Sequence, residues 1–131
     1  MEHIEIATPR RCCCVDVTSR VQAALARQGV ESGAALICSL HTTAGVTLNE
    51  NADPDVMEDV LAALARLVPR QGSYRHAEGN SDAHLKTCLV GVSVTLPVEA
   101  GRLVLGRWQG IYLCEFDGPR ARRLLVQTLR A

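Results

Sequence analysis

The apolar run from Ala34 to Leu40 is one strand long and stops abruptly at His41. Such a run predicts a buried strand, and it places the polar segment that follows at that strand's end. Period-two alternation recurs at His3 to Thr8 and Arg11 to Val17, with Pro9 at the turn, and again at Val92 to Val98. Glu99-Ala100-Gly101-Arg102 supplies a hairpin turn, and Leu103 to Gly106, Gln109 to Phe116 and Arg123 to Leu129 supply three more strands. Asp117-Gly118-Pro119 marks the last turn.

Helices interrupt the strands. Thr18 or Ser19 can cap a short helix carrying Val21, Ala24 and Leu25, with Gly29 at a left-handed stop. Asp53 is placed as an N-cap with Pro54 at the first helical position, and Met57, Val60, Leu61, Leu64 and Leu67 follow at helical spacing until Pro69. A shorter helical pattern runs from Asp82 to Val90 and closes at Gly91. Strands predominate, so the predicted class is α+β with a largely antiparallel sheet and two or three helices, in one domain spanning residues 1–131. A chain of this length can bury about two-thirds of its unfolded surface.

Fourteen basic residues balance fourteen acidic ones, so no global field draws nucleic acid or an anionic membrane; both are excluded as expected partners. The acidic, alternating start Met1-Glu2-His3-Ile4 is unlike a signal peptide, and no run reaches transmembrane length, which predicts a cytoplasmic protein. The six cysteines show no Cys-x-x-Cys pair, and Cys38, Cys88 and Cys114 sit in apolar runs. They read as reduced, small hydrophobes. The consecutive Cys12, Cys13 and Cys14 have no functional reading beyond strand packing.

Two polar islands stand out: "HTTAGVTLNENADPDV" from His41, and "RQGSYRHAEGNS" from Arg70. Three of the four histidines, His41, His76 and His84, lie in or beside them. If they converge, they make a facial metal site with open positions, although their spacing matches no local metal motif. The bland alternative is that each histidine orders its own loop. Gly79-Asn80-Ser81 precedes the short helix, where free N–H groups suit an anion that Arg75 and Lys86 would neutralise, or where Asn80 or Ser81 simply caps. Glu50, Asp53 and Asp55 can hold a divalent cation, or serve as cap and first-turn acids. Trp108 beside Gln109-Gly110 can stack on a planar ring or pack in the core.

Together "HTTAGVTLNENADPDV", "YRHAEGNSDAHLKTCLVG" and "LGRWQGIYLCEFDGPR" resemble the YjbQ-like family, also described as secondary thiamine-phosphate synthases, over most of the chain. The resemblance implies an antiparallel β-sandwich assembled as a homotrimer. It implies a site drawn from His41, Thr42, Asn49, Glu50, Asn51 and Asp53 in the first motif, His76, Gly79, Asn80 and His84 in the second, and Trp108, Gln109 and Gly110 in the third. Asp82 stands where the family usually has a hydrophobic residue or methionine.

The activity implied joins a hydroxymethylpyrimidine diphosphate to a thiazole phosphate and releases pyrophosphate. In that reading Glu50, Asp53, Arg75 and Lys86, with magnesium, stabilise the leaving group, Trp108 stacks on the pyrimidine, and the histidines donate a proton or hold a metal, magnesium or zinc. The alternatives are a metal-dependent hydrolase and a binding protein for a small phosphorylated ligand.

Overall fold

The computed structural model describes residues 1–131. Its strands are β1 (Glu2–Ala7), β2 (Cys13–Asp16), β3 (Ser32–Ser39), β4 (Ala44–Glu50), β5 (Ser93–Glu99), β6 (Arg102–Leu103), β7 (Gln109–Glu115) and β8 (Ala121–Arg130). Its helices are α1 (Thr18–Gln28), α2 (Pro54–Leu67) and α3 (Ser81–Val90). A five-stranded sheet runs β1-β8-β3-β5-β6 and a three-stranded sheet β2-β7-β4, with every strand pairing antiparallel. The α+β class holds, with three helices.

Period-two alternation explains how the layers stack. Ile37 of β3, Leu96 and Val98 of β5, and Leu124 and Val126 of β8 meet Val46 of β4 and Ile111 and Leu113 of β7 in one buried cluster, which Val21, Ala24 and Leu25 of α1 complete. The opposite face of β7, with Tyr112, Cys114 and the following Phe116, packs beneath Met57 of α2 and Ala83 of α3. The small sheet is therefore the middle layer. The outward residues Leu36, Cys38, Leu125 and Leu129 of the large sheet join neither cluster.

Helix boundaries follow local chemistry. Asp53 caps α2 by accepting from Asp55 N at 2.9 Å with Pro54 at the first helical position, and Gly29 ends α1 at φ 62°. Two expectations change. Thr18 and Ser19 do not cap α1, because Thr18 Oγ1 instead donates to Asp16 at 2.6 Å and accepts from Ile111 N at 2.9 Å. The polar island after His41 also holds a strand that its composition concealed: Ala44, Val46 and Leu48 alternate inward as β4, which takes seven of its residues.

One polar contact ties the layers together. Glu115 at the end of β7 is 0% exposed and Arg122 at the start of β8 is 2% exposed, with Arg122 Nε donating to Glu115 Oε1 at 2.8 Å and Arg122 Nη2 pairing with Oε2. Arg122 Nη2 also donates to Thr43 Oγ1 at 2.8 Å, Thr8 Oγ1 donates to Glu115 at 2.8 Å, and Phe116 N and Asp117 N donate at 3.0 Å. Burial works to raise the Glu115 carboxyl, but these donors hold it below its ordinary value of 4.5. Removing one partner strands the other charge, so Glu115→Ala should cost about 3–5 kcal/mol in urea denaturation. A carboxyl held low adds stability that is present above its unfolded pKa and lost as pH falls through its folded one. The gap between wild type and variant should therefore narrow only on acidification below 4.5.

Candidate functional site

Beyond Ser39 the chain turns into β4, and the turn is closed by polar contacts. Ser39 Oγ donates to Ala44 O at 2.7 Å and accepts from His41 N at 3.3 Å. Leu40 N donates to Arg123 O at 3.4 Å, and His41 Nε2 accepts from Arg123 N at 2.8 Å. The imidazole thus continues the β3–β8 ladder where the backbone leaves it. A neutral ring whose Nε2 accepts must carry its proton on Nδ1. Burial first, then the Arg122 guanidinium, push His41 below its ordinary 6.5 and keep it neutral.

Helix α3 hangs from both sheets by main-chain bonds: Val46 N donates to Gly91 O at 3.0 Å, and Ser39 N to Val92 O at 2.7 Å. A Cβ on Gly45 would lie 2.5 Å from Gly91 O, so glycine is what allows this approach. The docking turns His84 to the mouth of the His41 turn. His41, Thr42, His84, Thr87 and Cys88 line a cavity of about 450 Å³. A neighbouring cavity of about 380 Å³ is lined by Tyr74, Arg75, His76, Ser81 and His84. His84 belongs to both. It meets His76 edge to face with ring centroids 5.3 Å apart, while Ser81 Oγ lies 3.3 Å from His76 Nδ1 and Glu78 lies 3.7 Å from His76 Nε2.

The three histidines therefore gather along one groove, but no group of three histidine, cysteine or carboxylate side chains is arranged to hold a metal ion. The three imidazoles are not arranged as the facial set the sequence suggested: His41 spends one ring nitrogen on Arg123 N and carries a proton on the other. Lys86 is also withdrawn from ligand binding. It is 4% exposed and pairs with the fully buried Asp82 at 3.3 Å, while Arg11 grips the other side of Asp82 at 3.0 and 3.1 Å. Burial opposes ionisation of Asp82, but both cations hold its carboxyl below the ordinary value. The acid at this position is a buried cross-link, not added charge at an anion site. Asn80 precedes α3 without capping it; its amide donates to Asp117 at 2.9 Å, and Gly79 serves a turn at φ 81°.

The remaining expected residues lie elsewhere. β4 rises roughly 20 Å along its seven residues, so Asn49, Glu50, Asn51 and Asp53 stand at the far end from His41. Gln109 pairs with Glu50 there, and Trp108, 55% exposed, sits in the adjoining turn under the Arg107 guanidinium at 4.8 Å. Trp108 is thus neither in the core nor near the histidines. A larger cavity of about 770 Å³ opens at this end, lined by Asp16, Thr18, Gln22, Asn51 and Arg102 among others. Its polar groups are largely committed: Asn51 Nδ2 donates to Asp16 at 3.3 Å, Asp16 accepts from Thr18, and Gln22 bridges Gly101 O and Leu103 N. Asn49 Oδ1 accepts from Glu50 N at 2.8 Å. Arg102 keeps an unpaired side chain at this end, as Arg75 and His84 do in the smaller histidine groove.

Thr43 and Arg122 were not among the sequence candidates, although Arg122, Leu124 and Val126 share one face by alternation, which marks Arg122 as inward. Thr87 and Cys88 follow His84 at helical spacing, which was the available signal for that wall.

The family model for "UPF0047 protein YjbQ-like" matches residues 2–131. The chain belongs to this family. The UPF0047 protein YugU of Bacillus subtilis is 48% identical over 130 residues, covering 98% of each chain. A crystal structure of an uncharacterised YjbQ/UPF0047 protein of Clostridium acetobutylicum superposes with TM-score 0.96 at 45% identity, covering 98% of this chain and 100% of that one. A YbjQ-like protein of unknown function from Sulfolobus solfataricus superposes with TM-score 0.94 at 34% identity, covering 99% and 96%. None of these descriptions carries a thiamine-phosphate synthase activity. The transferase expectation is corrected accordingly, and the geometry agrees: the ring-stacking tryptophan, the acids and the histidines do not share a pocket within the chain, and Lys86 is already neutralised.

His41 should titrate below 6.5 in a ¹⁵N-detected histidine spectrum, with the Nδ1–H pattern at neutral pH. A base held low in the fold adds stability that is present above its unfolded pKa and lost as pH falls through its folded one. Wild type should therefore lose stability relative to His41→Asn on acidification below 6.5.

Proposed function

We propose that the histidine groove binds a small anionic ligand and that His84 exchanges a proton with it. The shared placement of His84 carries this reading, because one imidazole faces both cavities and contacts His76 at 5.3 Å. Arg75 adds a cation to the wall, and His41 adds a fixed Nδ1–H donor. Each imidazole can donate to an anion through one ring nitrogen and take or give a proton at the other, so the pair can bind an anion and move a proton in the same place. The protein is read as cytoplasmic; no helix is long and apolar enough to cross a membrane.

The assembly we propose is a homotrimer that covers the outer face of the large sheet. Leu36, Cys38, Leu125 and Leu129 project there outside both cores, and Leu40 and Leu129 are 48% and 56% exposed. Such a face is costly in water and suits burial against a second copy. Sedimentation should return three times the 14.1 kDa chain mass, and Leu125→Lys should shift it toward the monomer.

Titration with inorganic phosphate and with acetate, followed by histidine NMR, tests the site. His84 and His76 signals should move together and saturably. His84→Ala should abolish the His76 response, and Arg75→Ala should weaken binding by about tenfold, the scale of one charge-assisted hydrogen bond. Shifts of equal size in the His84→Ala and wild-type proteins would overturn the assignment.

A further inference from the structure

Strand β2 forms one edge of the three-stranded sheet, and its Cys14 stands directly opposite Cys114 of the central strand β7. Val17 N donates to Ile111 O at 2.8 Å, so alternate pairs along this ladder are hydrogen-bonded, and Cys14–Cys114 falls at a non-bonded pair between them. Side chains approach most closely at such pairs. The two sulfurs are 3.9 Å apart, within reach of an S–H···S contact. Cys13, by contrast, points into the core beside Arg10 O, and Cys88 lies on α3 at the histidine groove.

We propose that Cys14 and Cys114 form a redox-active dithiol that a hydroperoxide converts to a cross-strand disulfide. The roles divide by position. Cys14 is partly exposed on the edge strand, whereas Cys114 is buried beneath α2 and α3. The Cys14 thiol is lowered by its contact with Cys114, and Cys114 is raised by that contact and by burial. The attacking group is therefore the accessible one and the resolving group its buried neighbour.

The Cys14 thiolate attacks the terminal oxygen of ROOH. The O–O bond breaks, RO⁻ leaves and takes up the proton Cys14 released, and Cys14 becomes a sulfenic acid. Cys114 sulfur then attacks the Cys14 sulfur. Hydroxide leaves, takes the Cys114 thiol proton as water, and the S–S bond forms. Two thiols lose two electrons and the peroxide gains them, giving ROH and water. The link joins positions 100 residues apart and pins the edge strand, whose neighbour Arg11 holds α3 through Asp82.

Hydrogen peroxide treatment of the reduced full chain, followed by alkylation, intact mass and peptide mapping, tests this. Two of the six thiols should be lost with a mass decrease of two hydrogens, the melting temperature should rise, and dithiothreitol should reverse all three. The bridge should disappear in Cys14→Ser and persist in Cys12→Ser, Cys13→Ser and Cys88→Ser. Mapping of the wild-type bridge keeps the test decisive even if Cys114→Ser fails to fold. Cys14 sulfinic acid beside an unmodified Cys114, a vicinal bridge within Cys12–Cys14, or Cys88-linked dimers as the first product would overturn the proposal.

Discussion

The Glu115–Arg122 ion pair sits where the two sheets and the chain's crossing segments meet. Thr8 after β1, Thr43 before β4, Glu115 on β7 and Arg122 on β8 converge on it from four parts of the sequence. Desolvating two charges is unfavourable unless their remaining donors and acceptors are satisfied, and here side chains and main-chain N–H groups do this. Apolar contacts between sheets tolerate sliding far better than a forked guanidinium on a carboxylate. The pair thereby fixes register between layers, and with it the turn that carries His41 only two residues before Thr43.

The fold was legible to the extent that periodicity and stop signals were unopposed. Gly29, Asp53-Pro54, Pro69 and Gly91 marked helix ends correctly because each acts through its own backbone geometry. β4 was missed because polar Thr47 and Asn49 alternate with Val46 and Leu48 inside a segment crowded with Asn and acids. There local composition masked a weak two-residue period.

The candidate site was half legible. Histidine density identified His41, His76 and His84, and the fold gathers them along one groove. Contiguity in sequence was misleading for Asn49, Glu50, Asn51 and Asp53, since an extended strand separates its two ends by its full length. Lys86 shows the same limit differently. Its charge and its i,i+4 partner Asp82 were visible, but the burial of that pair and the second grip of Arg11 on Asp82 depend on a contact 71 residues distant in sequence. Pairing at that range leaves no local trace.

The suspension of α3 from Gly91 and Val92 carries a consequence for how this groove can diversify. Because main-chain bonds and the inward residues Asp82 and Ala83 fix where the helix docks, its outward residues Leu85 and Leu89 are free of that duty. A lineage can rewrite this exterior without displacing His84. The same attachment makes Gly45 a point of evolutionary rigidity, since any side chain there must first detach the helix from the sheet.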